Sequence, residues 1–288
     1  ELGCEIFKHC KRFFSVRSGT SNEWSAVKTR VANTKTARQN NKQIYIGKSK
    51  LSCLYLNARS IANKHKELEM YVLEENFDII GITETWLNSS ILDSEMSIKG
   101  YTLHRKDRND AEKHRGGGVA LYVHNDLNCV HRDELFEPNF PETIWCEIRC
   151  NGGNTLVGVC YRAPNSLHIN DEALYSLIDR VSKEEVVIMG DFNFPELDWG
   201  RADSIGDSHP FIECMSNNFL TQLVEKPTRA KNYLDLILCS DSSLIENASV
   251  GEPFETSDHQ IVTFNLATKV FTRNNTKKFY NYFKADFD

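Results

Sequence analysis

The sequence has no long hydrophobic run, and its cysteines are scattered without a Cys-x-x-Cys pair. Its apolar runs stay well short of the roughly 20 residues that a membrane-spanning helix needs, so we expect no membrane association. Residues 1–15 are interrupted by basic side chains and lack the apolar core of a signal peptide. The nine cysteines include no Cys-x-x-Cys pair, which argues against a disulfide framework. No Cys/His pairs sit at ligand spacing, so zinc is not expected, and a reduced intracellular compartment fits best.

The composition is that of a soluble globular protein, but its charge is unevenly distributed. Of the 288 residues, 40% are hydrophobic and 26% are charged, which is enough for one sizeable core. Residues 1–50 hold eleven Lys and Arg against three Asp and Glu, a net charge of +8. Residues 51–264 hold eighteen against thirty-five, a net charge of −17. The basic segment is either a solvated arm or a nucleic-acid contact, and the acidic part needs metal ions to act on phosphates.

Hydrophobic patterning predicts one α/β domain between a flexible arm and a connector. We place the arm at 1–50, the domain at 51–266 and the connector at 267–288. Apolar or alternating runs predict strands, and apolar residues at helical spacing predict helices. The predicted strands are 51–56, 78–82, 118–123, 144–150, 155–161, 186–189, 234–238 and 261–266. The predicted helices are 64–75, 171–183 (with Asn170 as its cap) and 210–219. A hairpin turn at 151–153 and strand–helix–strand units together predict mixed sheets.

Several polar side chains stand where predicted strands stop. Asn57, Glu84, Asp191 and Asn193 follow apolar runs, and the segment 257–259 (Ser-Asp-His) precedes one. Hard oxygen ligands suit Mg²⁺ or Mn²⁺, and a carboxylate–imidazole pair can activate water. Taken singly, each motif is more often a turn, a cap or a solvated charge than a catalytic group. Their joint occurrence in this order indicates phosphodiester hydrolysis.

The ordered motifs resemble those of the endonuclease/exonuclease/phosphatase superfamily. They are 56–57 (Leu-Asn), 82–86 (Ile-Thr-Glu-Thr-Trp), 161–165 (Tyr-Arg-Ala-Pro-Asn), 190–193 (Gly-Asp-Phe-Asn), 234–236 (Leu-Asp-Leu) and 257–259 (Ser-Asp-His). More narrowly, the stretches 56–60, 115–120 and 161–164 are typical of the apurinic-type endonuclease domain of LINE (non-LTR) retrotransposons. The resemblance covers about residues 51–266, and the ending 284–288 looks like the start of the connector that leads to a reverse transcriptase.

This resemblance implies a fold, a substrate and a set of roles. The implied fold is a two-sheet α/β sandwich with helices outside, as in DNase I-like proteins. The implied activity is Mg²⁺- or Mn²⁺-dependent nicking of duplex DNA in the nucleus, which leaves a 3′-hydroxyl primer for a downstream reverse transcriptase. The implied metal ligands are Glu84 and Asp258. The implied catalytic residues are His259, Asp191, Asn193, Asp235 (which orients His259) and Tyr161. The implied substrate-binding residues are Asn57, Arg59, Asn165, Thr228 and Ser257.

The sequence leaves alternatives open for the number of metal ions, for the basic residues and for the function. Many relatives have Asp or Asn at the position of Arg59, so this chain favours a one-metal site, and Arg59 is a candidate contact to the DNA backbone. The basic residues of the loop 99–115 are either solvated or a phosphate-contacting rim, whereas Trp86, Trp145 and Trp199 are expected to be packing residues. Alternative functions are abasic-site repair, hydrolysis of a small phosphoester, and an inactive transposon relic or binding module.

Overall fold

The computed structural model describes residues 49–108, 116–150, 153–197, 199 and 209–268. These residues form two six-stranded sheets and three helices. The strands are β1 Lys50–Asn57, β2 Ile79–Thr83, β3 Tyr101–Lys106, β4 Val119–His124, β5 Cys129–His131, β6 Thr143–Cys150, β7 Gly153–Tyr161, β8 Val186–Asp191, β9 Thr221–Gln222, β10 Asp235–Cys239, β11 Ile245–Pro253 and β12 Gln260–Ala267. The helices are α1 His65–Glu75, α2 His168–Val181 and α3 Pro210–Asn217. In the part of the chain that the structure describes, no helix is long and apolar enough to cross a membrane.

The two sheets are built on the same plan. The first sheet has the strand order β11-β12-β1-β2-β4-β3, and the second has the order β5-β6-β7-β8-β10-β9. Each contains one parallel pair whose strands are joined by a helix, β1-α1-β2 in the first and β7-α2-β8 in the second. All other neighbouring strands are antiparallel. The predicted two-sheet α/β sandwich of mixed sheets is confirmed.

Apolar side chains fill three layers around these sheets. The central layer lies between the sheets and includes Tyr55 and Leu121 of the first and Val159 and Met189 of the second. The first sheet packs its other face against α1, and the second packs its other face against α2 and α3. Strands that are covered on both faces are continuous apolar runs, as in 186–189, because both sets of side chains leave water. The apolar layer between the sheets therefore fixes their relative position, and with it the positions of the residues at the strand ends.

The eight predicted strands are all present, and the structure adds four that were not predicted, β3, β5, β9 and β11. The predicted start of α2 is wrong. Helix α2 begins at His168, so Asn170 lies inside it, and the cap position is Leu167, whose side chain makes no capping hydrogen bond. The tertiary reason is Asp171, whose carboxylate accepts hydrogen bonds from Arg162 at 2.7 and 2.9 Å. That part-buried ion pair holds the first turn in the absence of a side-chain cap. The predicted hairpin is confirmed by the antiparallel pairing of β6 with β7, with residues 151 and 152 outside the described residues.

One glycine in β7 is required by close packing, and this gives a stability prediction. A Cβ atom on Gly158 would lie 2.2 Å from the ring of Trp145, which is itself buried. Because overpacking a filled core typically costs 1–3 kcal/mol, we expect Gly158→Ala to lower the free energy of unfolding by about that amount. Urea unfolding followed by tryptophan fluorescence measures it. Gly251→Ala is the control, since its Cβ would approach only the Ile261 side chain, at 3.0 Å, and should cost less. Wild-type stability in Gly158→Ala would contradict this packing.

Candidate active site

Polar side chains gather at one rim of the sandwich, where strands of both sheets end or begin. The parallel pair of the first sheet ends there, at Asn57 of β1 and just before Glu84, which follows β2. The parallel pair of the second sheet ends in Tyr161 of β7 and Asp191 of β8. Strand ends hold side chains rigidly while leaving them near solvent, so this rim is the natural place for a site.

Two antiparallel strands bring further groups to the same rim. Strand β10 runs antiparallel to β8, with Asp235 paired opposite Asp191. Strand β12 runs antiparallel to β1, so His259, which precedes it, lies near the end of β1. The six groups come equally from the two sheets. The first sheet supplies Asn57, Glu84 and His259, and the second supplies Tyr161, Asp191 and Asp235.

His259 is held by a buried chain of hydrogen bonds. Its Nδ1 lies 2.7 Å from Oδ2 of Asp235, as predicted from the sequence. The other oxygen of Asp235 accepts a hydrogen bond of 2.9 Å from the hydroxyl of Tyr55. Burial alone would lower the pKa of His259, but the hydrogen bond and charge of Asp235, together with Asp191, outweigh it and raise that pKa. The arrangement therefore orients the ring, leaves its Nε2 for a substrate and stabilises the imidazolium form.

Asp191 is the second buried carboxylate of the rim. Its Oδ2 accepts a hydrogen bond of 2.9 Å from the side-chain amide of Asn57. Its Oδ1 accepts one of 3.1 Å from the backbone N–H of Asn193, which has a left-handed conformation (φ 48°). Burial, and then the charge of Asp235, raises the pKa of Asp191 well above its ordinary value. Such a carboxylate is a stronger base than usual, and a nearby cation would stabilise its ionised form.

Glu84 is fixed by three donors and sits in a strained backbone segment. Its Oε2 accepts a hydrogen bond of 2.9 Å from the N–H of Gly117 and another from the indole of Trp86. Its Oε1 accepts a hydrogen bond from the hydroxyl of Tyr161. Both Glu84 (φ 53°) and Trp86 (φ 55°) have positive φ, a conformation that side chains rarely adopt and that clusters at functional sites. The carboxylate is therefore held in place before any ligand arrives.

An ion pair between Arg108 and Glu142 lies beside the groups that hold Glu84. Glu142 accepts hydrogen bonds from the Arg108 guanidinium at 3.1 and 2.6 Å and from the N–H of Gly118 at 2.5 Å. The guanidinium carbon of Arg108 lies 5.4 Å from the centre of the Tyr161 ring. Burial raises the pKa of Glu142, and the hydrogen bonds and charge of Arg108 oppose that rise. The pair thus contacts Gly118, which is next to Gly117, and Tyr161, and both Gly117 and Tyr161 donate hydrogen bonds to Glu84.

Asp258, an expected metal ligand, is engaged by two arginines. Its Oδ1 lies 3.0 Å from Arg59 and its Oδ2 lies 2.6 Å from Arg229, and all three side chains are partly exposed. Partial burial works against ionisation, but the hydrogen bond from Arg229 and the charge of Arg59 keep the pKa of Asp258 below its ordinary value. Its metal-binding role stays a prediction, because each of its oxygens faces a cation of the protein itself.

The expected substrate-binding residues fall into two groups. Thr228, expected in the site wall, is fully buried behind the site, where its hydroxyl accepts a hydrogen bond of 3.0 Å from the N–H of Asp235. Ser257 donates to the carbonyl of Asn57 at 2.7 Å and accepts from the N–H of His259 at 3.2 Å. Both therefore position other groups of the site. In contrast, Arg59 has half of its side chain exposed, and Asn165 is exposed in the turn after β7.

Trp86 and Arg108 contact groups of this site, although the sequence analysis predicted other roles for them. Trp86, predicted to be a packing residue, donates to Glu84, and Arg108, placed in a solvated loop or a phosphate rim, pairs with Glu142. Trp145 is buried as predicted. The segment 99–115 was predicted to be a loop, but residues 101–106 form β3, and Arg105 of that strand pairs with Asp93 and Asp107. Lys113 and Arg115 lie outside the described residues. No periodicity could have linked Arg108 to Glu142, because the two lie 34 residues apart, one after β3 of the first sheet and the other before β6 of the second.

The carboxylates of the rim fit a divalent cation. One oxygen from each of Asp191 and Asp235 and one ring nitrogen of His259 lie within 4.8 Å of one another. Asp235, however, is fully buried, and both of its oxygens already accept hydrogen bonds. Glu84 is more accessible, and a carboxylate that accepts three hydrogen bonds keeps a lone pair for a metal. The donor set consists mainly of hard oxygens, which Mg²⁺ or Mn²⁺ prefers.

The described residues define a DNase I-like α/β sandwich with a polar site at one rim. The chain belongs to the endonuclease/exonuclease/phosphatase family, because the sequence model of the Endonuclease/Exonuclease/phosphatase family matches residues 54–259, well over half of its length. Comparison with the sequences of curated proteins gives no match. The superfamily assignment made from the ordered motifs is thus confirmed.

Solved structures share this fold at low sequence identity. The endonuclease domain of TRAS1, a telomere-specific non-LTR retrotransposon, aligns with a TM-score of 0.59 at 18% identity and covers 75% of this chain and 98% of its own. An AP endonuclease from Leishmania major aligns with a TM-score of 0.62 at 15% identity and covers 86% and 99%. An AP endonuclease from Archaeoglobus fulgidus aligns with a TM-score of 0.58 at 15% identity and covers 76% and 100%. These likenesses establish the fold.

Proposed function

We propose that this protein is a Mg²⁺- or Mn²⁺-dependent endonuclease that nicks duplex DNA and leaves a 3′-hydroxyl for target-primed reverse transcription. The observation that carries the proposal is the rim itself. A fixed Glu84 carboxylate, a buried Asp191 with raised pKa and an Asp235-oriented His259 face one another at the meeting of two sheets. These are the parts that hydrolysis of a phosphodiester requires.

Glu84 would hold the cation, which when bound supplies charge neutralisation at the phosphate. The hydrogen bond and charge of Asp235 raise the pKa of His259, which favours the protonated ring, and in that form its outward nitrogen would donate to a phosphate oxygen. Asp191, with its raised pKa, takes the proton of the attacking water. Asn57 holds Asp191 in place by hydrogen bonding, and Tyr161 does the same for Glu84. No covalent protein intermediate is needed.

Sequence features favour the retrotransposon type within this family. The stretches 56–60, 115–120 and 161–164 are typical of the LINE branch, and the TRAS1 domain is covered almost completely by this chain. The fold alone does not choose, since AP endonucleases align equally well. Arg59 and Arg229 beside Asp258 offer partly exposed positive charge at the rim of an otherwise acidic domain. We therefore place the DNA backbone along this edge.

The ends of the cut test this proposal. A supercoiled plasmid nicked by the protein should be extended by a DNA polymerase and resealed by DNA ligase without end repair, because a primer needs a 3′-hydroxyl and ligation needs a 5′-phosphate. Oligonucleotide duplexes with and without one abasic site, together with a small phosphoester, vary the substrate. We expect cleavage of undamaged duplex at preferred sequences. Cleavage only at abasic sites, 3′-phosphate ends, or hydrolysis of the small ester alone would contradict the nickase.

A further inference from the structure

A second group of metal-ligand side chains lies at one edge of the sandwich. Among the described residues, β3 is an edge strand of the first sheet and β5 is an edge strand of the second. His104 stands on β3, Cys129 on β5 and Cys146 on β6. One ring nitrogen of His104 and the two sulfur atoms lie within 4.8 Å of one another. None of these residues belongs to the rim described above.

Strand register explains why these side chains meet. Cys146 pairs opposite His131 and Cys129 pairs opposite Ile148, so Cys129, His131 and Cys146 project from one face of the second sheet. Cys146 belongs to the layer between the sheets, so this face is turned toward the first sheet. His104 pairs opposite Leu121, another residue of that layer. The two sheets therefore present ligands to the same gap.

The donor set is softer than that of the rim. Two sulfur atoms and an imidazole suit zinc, whereas Mg²⁺ prefers oxygen. Ligand atoms around a tetrahedral zinc lie about 3.3–3.8 Å apart, so only small side-chain movements are needed.

We propose that His104, Cys129 and Cys146 bind a zinc ion that ties the outermost strands of the two sheets together. The ring of His131 stacks on that of His104, with centroids 4.8 Å apart, and its Nδ1 lies 3.0 Å from Oδ1 of Asp133. Rotation of the His131 side chain away from Asp133 would make it the fourth ligand. The spacing rule that argued against zinc in the sequence considers only local Cys/His pairs. Here His104 comes from the first sheet and the two cysteines are seventeen positions apart on neighbouring strands, so these three ligands form no local motif. Cys129 and His131 are two positions apart on β5, a spacing that the sequence analysis did not recognise as a metal site.

Cobalt(II) is the probe for this site, because thiolate ligands give it an intense charge-transfer band in the near ultraviolet that oxygen ligands do not. The full chain, stripped of metal and kept in a phosphine reductant, is titrated with Co²⁺ and then Zn²⁺. We expect a band that saturates at one equivalent and is bleached by zinc. Cobalt bound at the carboxylate rim adds nothing to this band. Zinc should also raise the melting temperature.

Matched variants assign the band to these residues. Cys129→Ser should abolish it together with the zinc-induced rise in melting temperature, and His104→Ala should weaken metal binding. Cys150→Ser, on the same strand as Cys146, should change neither, and nor should joint replacement of Cys4 and Cys10, which lie outside the described residues. Circular dichroism confirms that the variants fold. Absence of the band in the wild-type chain, its persistence in folded Cys129→Ser, or an equal zinc-induced rise in that variant would overturn the proposal.

Discussion

Replacing Glu84 with glutamine should lower the rate of plasmid nicking by about 10³-fold or more while the domain stays folded. A metal-bound carboxylate contributes several kcal/mol of charge stabilisation in the transition state, and each 1.4 kcal/mol is a factor of ten. Glutamine keeps the shape of the side chain and can still bond to Tyr161, Trp86 and Gly117, so the loss reports on charge. Nicking is measured across a range of Mg²⁺ and Mn²⁺ concentrations, with and without chelator.

Two comparisons make that result specific. Glu74→Gln removes an exposed carboxylate from α1 and should leave both the rate and the metal dependence unchanged. Glu84→Ala should be as inactive as Glu84→Gln but less stable, because it also leaves the donors of Trp86 and Gly117 without their acceptor. Wild-type nicking by folded Glu84→Gln, or full activity in chelator, is incompatible with a metal held at Glu84.

Replacing His259 with alanine should slow nicking by about 10²–10⁴-fold, the usual contribution of a positioned acid–base group. Asp235→Asn should cost less than this but still a measurable part. An amide facing Nδ1 donates where the carboxylate accepts, so it favours the wrong tautomer and cannot stabilise the imidazolium. Single-turnover nicking at saturating metal measures both variants.

The double variant decides whether His259 and Asp235 act as one unit. If Asp235 works only through His259, the double variant should be little slower than His259→Ala. Losses that multiply would instead show that Asp235 acts separately, for instance as a metal ligand alongside Asp191. His168→Ala is the control, since that side chain is 85% exposed on α2, and its rate should stay within about twofold of wild type.

Local sequence patterns predicted eight of the twelve strands and all three helices, because buried strands appear as apolar or alternating runs and helices as apolar residues at helical spacing. The alternation of Val119, Leu121 and Val123 identifies β4, and the continuous run 186–189 identifies β8. The start of α2 was predicted three residues late, because it depends on the pairing of Asp171 with Arg162, a contact that no local rule records. Which strands share a sheet, and in what order, is likewise set by packing between distant segments.

The sequence analysis named the polar residues at strand ends. It did not find the residues that hold those side chains in place through contacts between distant segments. The pairing of His259 with Asp235 was expected from the family resemblance, and the structure places Nδ1 of His259 2.7 Å from Oδ2 of Asp235. The roles of Trp86 and of the Arg108–Glu142 pair arise only when loops from different sheets meet at Glu84. Thr228 was predicted to line the site but supports Asp235 from behind, since sequence gives proximity along the chain and not the direction of a side chain.

The order in which the chain builds its sheets has a consequence for synthesis. The ribosome delivers β1 to β4, then every strand of the second sheet, and only afterwards β11 and β12, of which β12 pairs with β1 and β11 pairs with β12. Until then β1 lacks its antiparallel partner, and the nascent polypeptide carries Glu84 and Asp191 without His259. Premature termination anywhere before β12 should therefore release a fragment unable to cut DNA, so that cleavage competence arises only after translation has passed the last strand.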